Sequence, residues 1–321
     1  MTVDIQPVDK THILIEALPY IRRFWGQVVV IKYGGAALGP AGPRGHQLGP
    51  AGPRGHQQGP AGPRGHQQGA SANGDSSSLA SFAQDIVLMR SVGMRPLVVH
   101  GGGPQIGELM ARLGKVPEFR EGLRVTDAET LDIARMVLVG KVNRDIVAAI
   151  NVHAPLAVGV SGEDAGTIVA EPRNPELGFV GDVAHVNPAI LERLLAQDLI
   201  PVVATIASDT AGQAYNINAD TAAGAVAEAL QAGKLVYLTD VEGIRRKRDD
   251  PSTLISSIAC DALESLLTDG TIGDGMVPKV VSCLRAVRSG VAHAHILDGR
   301  VPHALLLEIF TNEGVGTMVS R

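Results

Sequence analysis

A lysine followed by two glycines stands directly after a run of apolar residues. Lys32 ends the segment VVVIK at 28–32, and Gly34 and Gly35 come shortly after it. Adjacent glycines let the backbone approach a ligand closely and offer bare N–H donors, and the lysine adds a positive charge beside them. The pattern predicts a buried strand that ends at a phosphate-binding turn. A buried strand with an ordinary glycine turn and a solvated lysine is the competing interpretation.

A second glycine-rich turn lies between another apolar strand and a helix. Residues 96–100 predict a strand, glycines 101–103 follow it, and residues 105–113 have a helical pattern. Backbone donors at a helix N-terminus favour anions, so Gly102 and Gly103 are candidate anion-binding residues. A tight turn that requires glycine would give the same local pattern.

Charged and amide side chains stand at the ends of later strands. Arg124 occupies a strand end, where a guanidinium suits bidentate capture of a carboxylate, although a surface arginine is the simpler local interpretation. Asn216 and Asp220 stand at the start of an alanine-rich helix that follows a strand. This polar cluster suits either a helix cap or a ligand contact with a carboxylate that orients lysines.

The C-terminal part of the chain adds a second lysine. Asp240 follows the strand that begins at Lys234, and Gly275 precedes Lys279 near the start of a helix. In open α/β sheets the ligand binds outside the carboxyl ends of the strands. Asp240, Gly275 and Lys279 are therefore candidates for the same site as the glycine turns.

Two lysines, one carboxylate and backbone donors are suited to phosphoryl transfer. That reaction needs alignment of the attacking and leaving oxygens, with cations that spread the developing charge. Lys32 and Lys279 can flank the transferring group and Asp220 can hold them, with Mg²⁺ accompanying a nucleotide. The sequence shows no Ser–His–Asp grouping, no Cys/His metal spacing, no G-x-x-x-x-G-K-[ST] motif and no G-x-G-x-x-G after a strand.

Composition limits the classes of partner. The 321-residue chain has a net charge of −5 and 3% aromatic residues, without a basic stripe, so nucleic-acid binding has little support. Cys260 and Cys283 do not make a disulfide framework and fit a reducing compartment. The segment MTVDIQPVDKTH lacks the apolar core of a signal peptide, and no uncharged apolar run is long enough for a membrane helix. We expect a soluble cytoplasmic protein.

Residues 39–68 consist of three copies of a ten-residue unit, GPAGPRGHQL and then GPAGPRGHQQ twice. Gly, Pro and Gln dominate, so the tract cannot bury enough apolar surface to offset the entropy of ordering. We predict a disordered insertion over 39–78. The ten-residue period breaks the every-third-glycine rule of collagen, which argues against an interaction protein built on a triple helix.

Strands and helices alternate through the rest of the chain, which predicts an α/β fold with a mainly parallel sheet and helices on both faces. An amphipathic helix is expected over 11–26, where Pro19 would kink or interrupt it. Another helix is expected from Leu79, and a long helix is expected to be capped by Thr126 or Asp127.

Seven segments together resemble the amino-acid kinase family, and within it the members that phosphorylate N-acetyl-L-glutamate. They are KYGG, VVHGGGPQIG, EGLRVTD, NINADTAA, LTDVEGI, GMVPK and HILDGRVPHALLLEIFTNEGVGTM. The resemblance implies a three-layer α/β/α sandwich. It also implies an N-terminal helix over 1–26, an amino-acid-binding lobe over 27–200 and a nucleotide-binding lobe over 201–321.

The reaction implied by this resemblance is transfer of the γ-phosphoryl group of ATP, with Mg²⁺, to the side-chain carboxylate of N-acetyl-L-glutamate in arginine biosynthesis. Lys32 and Lys279 would stabilise the transferring group, and Asp220 would orient both lysines. The implied substrate contacts are Gly34, Gly35, Gly102, Gly103, Arg124 and Asn216. The implied nucleotide contacts are Asp240, Gly275 and Lys279.

The helix ahead of KYGG resembles the N-terminal extension of the arginine-inhibited, hexameric members of the family. The C-terminal segment resembles the effector site of the same members. The resemblance therefore implies a hexamer built as a trimer of dimers, with L-arginine bound around His295, Glu308 and Gly314.

Two departures from the family pattern affect the expected function. Ala36 stands where the arginine-inhibited members often carry Asn, which removes one expected substrate-side contact. The repeats separate the first glycine turn from the next helix, so we expect a folded protein that binds nucleotide and has an altered turnover. A sister kinase of another acyl substrate, such as an aminoadipate derivative, and an arginine-binding protein with impaired catalysis are the alternatives.

Overall fold

The computed structural model describes residues 6–34, 73–120, 122–247, 250–273, 275–311 and 315–321. The decapeptide repeats lie outside the described residues, as do Gly35, Ala36 and Gly314. The expectations stated for them stay predictions.

The strands are rich in valine, isoleucine and leucine, the residue types that fill a sheet buried on both faces. They are β1 (Val28–Tyr33), β2 (Arg95–His100), β3 (Phe119–Arg120), β4 (Leu123–Arg124), β5 (Ala157–Ser161), β6 (Ile168–Pro172), β7 (Val180–Val186), β8 (Ile200–Ala204), β9 (Ile206–Ser208), β10 (Ala214–Ile217), β11 (Lys234–Thr239), β12 (Ser257–Ala259), β13 (His293–Asp298) and β14 (Thr317–Ser320).

An eight-stranded sheet, in the described part of the chain, has the order β12-β14-β13-β11-β1-β2-β8-β5. Neighbouring strands from β13 to β5 pair in parallel. Strand β14 pairs antiparallel to β13, and β12 pairs parallel to β14, so both run opposite to the other strands. The prediction of a mainly parallel sheet is confirmed. The carboxyl ends of β1, β2, β8, β11 and β13 consequently meet at one edge, where a ligand site is expected.

Helices cover both faces of the sheet, as predicted from the alternation of elements. They are α1 (Pro7–Phe24), α2 (Asn73–Ser91), α3 (Gly103–Arg112), α4 (Ala128–Arg135), α5 (Asn143–Asn151), α6 (Ala189–Ala196), α7 (Ala219–Ala229), α8 (Cys260–Thr268), α9 (Val277–Arg288) and α10 (Ala304–Phe310). A π-helical segment, Met136–Val142, joins α4 to α5. Together with the sheet these helices make the expected three-layer α/β/α sandwich.

Side-chain alternation along β1 assigns its residues to two cores. Ile31 and Tyr33 pack with α2, α4 and α5 on one face, whereas Val30 packs with α7 and α9 on the other. Successive strand residues point to opposite faces, so Lys32 shares the face of Val30. Because α7 covers that face, the Lys32 side chain points toward α7.

Smaller elements complete the fold beside the sheet. Strands β6, β7, β9 and β10 form a closed four-stranded barrel, and β3 pairs with β4 in a short hairpin. An isolated bridge between Thr126 and Gly178 ties the segment after this hairpin to the barrel. The barrel and the hairpin bring the predicted substrate residues of β4 and β10 toward the main sheet.

The helices differ from the sequence prediction in three places. Helix α2 begins at Asn73, inside the range 39–78 that was predicted to be a disordered insertion. Helix α1 continues through Pro19 rather than ending there. A proline removes one hydrogen bond to the residue four earlier, and that residue, Ile15, is exposed, so water can bond its carbonyl. The long helix after Asp127 contains the π-helical segment, which the sequence did not indicate.

Candidate active site

Two lysines from different elements meet on one carboxylate. Lys32 stands next to the end of β1, Asp220 is the second residue of α7, and Lys279 is the third residue of α9. Lys32 Nζ lies 2.8 Å from Asp220 Oδ1, and Lys279 Nζ lies 2.8 Å from Asp220 Oδ2. The structure thus brings together the three residues that the sequence analysis selected for phosphoryl transfer.

Burial and the neighbouring positive charges shift the pKa of Asp220 in opposite directions. Removal from water raises the pKa of this carboxyl, but the ammonium groups of Lys32 and Lys279 outweigh that effect and hold the pKa below its ordinary value. The carboxylate is therefore ionised at neutral pH. The cluster carries a net charge of +1 and keeps two cations at one end of the sheet, where a transferring phosphoryl group needs them.

The N-terminus of α7 explains how Asp220 is held. Asn218 precedes the helix, and its Oδ1 accepts hydrogen bonds from the backbone N–H groups of Asp220 and Thr221 at 2.9 and 3.1 Å. Asn218 is thus the cap of this helix. From β11, the Tyr237 hydroxyl donates to the carbonyl oxygen of Asp220 at 3.0 Å. Tyr237 was not among the residues predicted from the sequence, because nothing in the chain pattern places it beneath Asp220.

Both glycine turns come close to the lysine cluster. A Cβ on Gly34 would lie 3.1 Å from Lys32 Nζ, and a Cβ on Gly101 would lie 3.2 Å from the side chain of Ala219, the residue before Asp220. The second turn also packs on the π-helical segment, since a Cβ on Gly102 would lie 2.7 Å from Leu138 Cδ2. Glycine is required at 102 for this close approach, not for an unusual φ angle.

We predict that Gly102→Ala lowers kcat by about 10- to 100-fold, because the buried Leu138 side chain forces the turn to move and small misplacements in a catalytic site are costly. Removing the clash in Gly102→Ala/Leu138→Ala should restore most of kcat. Gly140→Ala is the matched control, because a Cβ there has open space. Steady-state kinetics that show no loss for Gly102→Ala, or no recovery in the double variant, would contradict the prediction.

Arg124 lies beside the second glycine turn. Its Nη2 donates to the carbonyl oxygen of Gly103 at 2.8 Å, its Nη1 lies 3.2 Å from Met110 Sδ, and its guanidinium stacks 4.8 Å from the ring centre of Phe119. Burial lowers the pKa of Arg124, but the guanidinium remains charged at neutral pH because the ordinary pKa of arginine is far higher. A half-buried arginine held by a ring and a carbonyl is pre-oriented for a planar anion.

Asn216 lies on β10, next to the segment that follows Arg124. Its backbone N–H donates to Phe179 at 2.9 Å, and Phe179 in turn donates to the carbonyl of Thr126 at 2.7 Å. Two backbone hydrogen bonds therefore connect the strand of Asn216 with the chain that leaves the β3–β4 hairpin. The two predicted substrate residues sit on connected elements.

A pocket of about 440 Å³ opens beside Lys279. Asp240 and Gly275, the two residues that the sequence suggested for nucleotide contacts, both line it. Arg300, which was not among the residues predicted from the sequence, also lines it. Its guanidinium is fixed by Asp298 at 2.7 and 2.8 Å. The signal for Arg300 was its position directly after β13, at the same carboxyl edge as the other site residues.

The predicted effector residues form a separate polar cluster at the far end of the sheet strands. His295 Nδ1 lies 2.7 Å from Glu308 Oε1, and Glu308 Oε2 accepts from the backbone N–H of Val315 at 3.0 Å. Burial lowers the pKa of His295. Lys234 lies nearby, with its Nζ 4.9 Å from the ring centre of Phe24 at the end of α1. Gly314 is outside the described residues.

Lys234 gives a prediction for alkaline pH. Burial lowers its pKa from 10.5 to about 8, with Glu308 acting in the opposite direction. Between about pH 8 and 10.5 the unfolded chain binds more protons than the folded one, so this lysine makes stability rise with pH in that window. Below pH 8 the buried Lys234 side chain is charged, and its burial lowers the free energy of unfolding by about 3 kcal/mol.

We therefore expect Lys234→Met to raise the free energy of unfolding at pH 7 and to flatten its rise from pH 8 to 10. Urea unfolding of the parent chain and of Lys234→Met across that range gives the difference in free energy of unfolding at each pH. Contributions from titrating groups that both chains share cancel in this difference. Equal pH slopes for the two chains would show that Lys234 is not the source.

A model of the amino acid kinase family matches residues 27–298. The chain belongs to the amino acid kinase family. It is 48% identical to the acetylglutamate kinase of Symbiobacterium thermophilum over 99% of this chain and 100% of that protein. It is 47% identical to the acetylglutamate kinase of Moorella thermoacetica over 98% of each chain. The resemblance inferred from the seven segments is confirmed at the level of the family.

Solved structures agree with the fold. N-acetylglutamate synthase from Neisseria gonorrhoeae, complexed with coenzyme A and N-acetyl-glutamate, matches with a TM-score of 0.76 and 26% identity, over 97% of this chain and 63% of that one. The same synthase complexed with coenzyme A and L-arginine matches with a TM-score of 0.74 and 27% identity, over 97% of this chain and 65% of that one. This chain thus spans somewhat less than two thirds of the synthase.

Among the described residues, no group of three or more His, Cys, Asp or Glu side chains could hold a metal ion. Within the same residues, no helix is long and apolar enough to cross a membrane.

Proposed function

We propose that this protein is an acetylglutamate kinase, which transfers the γ-phosphoryl group of ATP to the side-chain carboxylate of N-acetyl-L-glutamate in arginine biosynthesis. The observation that carries the proposal is the pair of lysines held 2.8 Å from the two oxygens of Asp220. In the transfer a bond forms between a carboxylate oxygen and the γ-phosphorus, and the bond from that phosphorus to the β–γ bridging oxygen breaks. ADP and an acyl phosphate are the products.

Lys32 and Lys279 stabilise negative charge on the transferring group in this proposal. Lys279 lines the nucleotide pocket, so it lies on the side of the leaving oxygen, while Lys32 lies across Asp220 beside the first glycine turn. Asp220 keeps both ammonium groups fixed before the substrate arrives, which reduces the reorganisation needed in the transition state. Mg²⁺ enters with the nucleotide as MgATP, which usually keeps several waters and needs few protein ligands.

Backbone and side-chain donors position the two substrates. The N–H groups of Gly34, Gly35, Gly102 and Gly103 are suited to bind phosphoryl oxygens at the turns. Arg124 and Asn216 are suited to hold the α-carboxylate of the amino acid and its surroundings. Asp240 and Gly275 are assigned to the nucleotide, in a pocket that belongs to the proposed C-terminal lobe, 201–321, while the glycine turns belong to the N-terminal lobe, 27–200.

The direct test is to trap the acyl phosphate. Purified protein is incubated with ATP, Mg²⁺, hydroxylamine and N-acetyl-L-glutamate, and in parallel with the homologous N-acetyl-L-aminoadipate. We expect hydroxamate from the glutamate derivative, with at least a tenfold lower kcat/KM for the longer acid, since each added methylene changes binding by about 1–3 kcal/mol. Equal or reversed preference would instead favour the sister kinase. ATP hydrolysis without hydroxamate from either acid would contradict the proposal.

Inhibition by L-arginine is a second proposal, supported by the His295–Glu308 pair. A buried carboxylate next to a histidine and a lysine suits recognition of an amino acid that carries a guanidinium and a carboxylate. Helix α1 ends at Phe24, whose ring contacts Lys234 of this cluster. Arginine binding at the cluster can therefore change the position of the N-terminal helix. A hexamer formed as a trimer of dimers, with α1 at an interface, belongs to this proposal.

Arginine titration of the hydroxamate reaction tests it. We expect sigmoidal inhibition that is weakened when residues 1–26 are deleted, together with loss of the hexamer in sedimentation. Activity that stays flat up to saturating arginine would refute the regulatory site without affecting the kinase assignment. Arginine binding with no turnover would identify the third candidate, an arginine-binding protein with impaired catalysis. The cytoplasmic location expected from the sequence stays a prediction.

A further inference from the structure

A buried histidine stands directly before the second glycine turn. His100 is the last residue of β2 and has no solvent exposure. It lies between Tyr33 of β1 and Ala204 of β8 in the sheet, and its carbonyl oxygen accepts from the Thr205 hydroxyl at 3.4 Å. None of the roles proposed above uses its imidazole.

Both ring nitrogens of His100 have defined partners. Nδ1 lies 3.1 Å from the carbonyl oxygen of Gly101, which can only accept a hydrogen bond. Nε2 lies 3.1 Å from the amide nitrogen Nδ2 of Asn143, which can only donate. The two neighbours together require a neutral ring with its proton on Nδ1. Burial also favours the neutral ring, because it lowers the pKa of His100 to about 4.

Asn143 is itself fixed in place. It is the first residue of α5, directly after the π-helical segment, and it is 1% exposed. Its Nδ2 also donates to the carbonyl of Val202 at 2.8 Å, and its Oδ1 accepts from Arg144. A Cβ on Gly159 would lie 2.0 Å from that oxygen, so β5 leaves space for this pair. The orientation of the Asn143 amide is therefore determined from several sides.

The peptide geometry connects this network to the reaction. The carbonyl of Gly101 and the N–H of Gly102 belong to one planar peptide group and point in opposite directions. A hydrogen bond that fixes Gly101 O therefore fixes the direction of Gly102 N–H. From the other side, the turn rests on Leu138 and Val142 of the π-helical segment, at 2.7 and 3.1 Å from the Cβ position of Gly102.

We propose that His100 is a positioning residue. Held by Asn143 in its Nδ1–H form, it orients the Gly101–Gly102 peptide so that the Gly102 N–H points at the phosphoryl oxygen in the transition state. The inference rests on the proposed kinase function, since it assigns a role in that reaction. The π-helical segment contributes by bringing both Asn143 and the apolar support for the turn to the same place.

Two substitutions at His100 separate orientation from simple packing. His100→Leu fills similar volume and removes the donor, whereas His100→Asn keeps an N–H donor where Nδ1 lies. We expect His100→Leu to lower kcat by about 10- to 100-fold with KM for both substrates within about threefold of the parent chain. His100→Asn should recover to within about fivefold of the parent kcat. Equal kcat in the two variants, or an unchanged kcat in His100→Leu, would overturn the inference.

A measurement on the parent chain covers the case in which His100→Leu does not fold. In a sample with nitrogen-15 in its histidines, the His100 signals, assigned by their loss in His100→Asn, should show the Nδ1–H form from pH 6 to 9. The Nε2–H form or a charged ring in that range would overturn the inference. Hydroxamate formation by the parent chain is measured first. If it is absent the kinase function itself fails and the inference with it, whereas a normal parent rate with an unaffected His100→Leu rejects the inference alone.

Discussion

Lys32→Met is expected to lower kcat by about 1,000-fold, with a much smaller change in KM for ATP. An arginine that contacts the transferring phosphoryl group in GTPases contributes a factor of about 10³ to 10⁵ in kcat, and we expect a buried lysine in the same role to contribute similarly. Lys32 is 8% exposed and lies beside Gly34, so no solvent cation replaces its ammonium. The pocket beside Lys279, which is proposed to bind the nucleotide, remains, so binding of ATP should persist. Hydroxamate formation at saturating substrates measures the loss.

Lys234→Met is the matched control for this substitution. Lys234 is also a buried lysine of the central sheet, at 5% exposure, but it stands at the start of β11, at the opposite end from the lysine cluster. Its kcat at pH 7.5 without arginine should stay within about threefold of the parent value. Comparable losses in the two variants would mean that the effect of Lys32→Met comes from disturbing the sheet rather than from losing a catalytic cation.

Asp220→Asn is expected to reduce both activity and stability. Without the carboxylate, two ammonium groups whose side chains are 10% and 15% exposed face each other unpaired. Removing one partner of a buried ionic group costs about 3–5 kcal/mol. The lysines also lose the anchor that fixes their positions, so kcat should fall by about 100-fold. Thermal unfolding and steady-state kinetics measure the two effects.

The double variant Lys32→Met/Asp220→Asn distinguishes a coupled unit from two independent residues. It should lose little more kcat than Lys32→Met alone, and it should recover part of the stability, since only one buried cation is then left. Asp145→Asn is the control for charge removal, because Asp145 pairs with Lys141 on the surface, where such pairs contribute under about 1 kcal/mol. Fully additive losses in kcat would contradict the idea that Asp220 acts through the lysines.

The sequence predicted the sheet and the lysine cluster because both depend on local patterns. The VVVI run before Lys32 defines β1, and side-chain alternation places Lys32 on the face of α7. Asp220 at the start of α7 and Lys279 at the start of α9 follow from helix boundaries that were visible in the chain. Parallel strands gather such boundaries at one edge, so proximity could be expected without knowing the strand order.

Other features depend on tertiary packing that no local pattern encodes. The chain from 128 to 151 has an uninterrupted helical pattern, yet residues 136–142 adopt a π-helical course. Leu138 and Val142 of that segment face Gly102, and Asn143, directly after it, contacts His100. Tyr237 was missed for the same reason, since only the strand order brings its partner Asp220 to it.

The most direct test of the central claim follows an oxygen atom. N-acetyl-L-glutamate labelled with ¹⁸O in its side-chain carboxylate is incubated with the protein, MgATP and hydroxylamine. If that carboxylate attacks the γ-phosphorus, the bridging oxygen of the acyl phosphate carries the label, and hydroxylamine releases it as inorganic phosphate with one ¹⁸O. We expect labelled phosphate from the parent chain and almost none from Lys32→Met. Unlabelled phosphate would mean that water is the acceptor, and it would contradict the assignment of the lysine cluster to carboxylate phosphorylation.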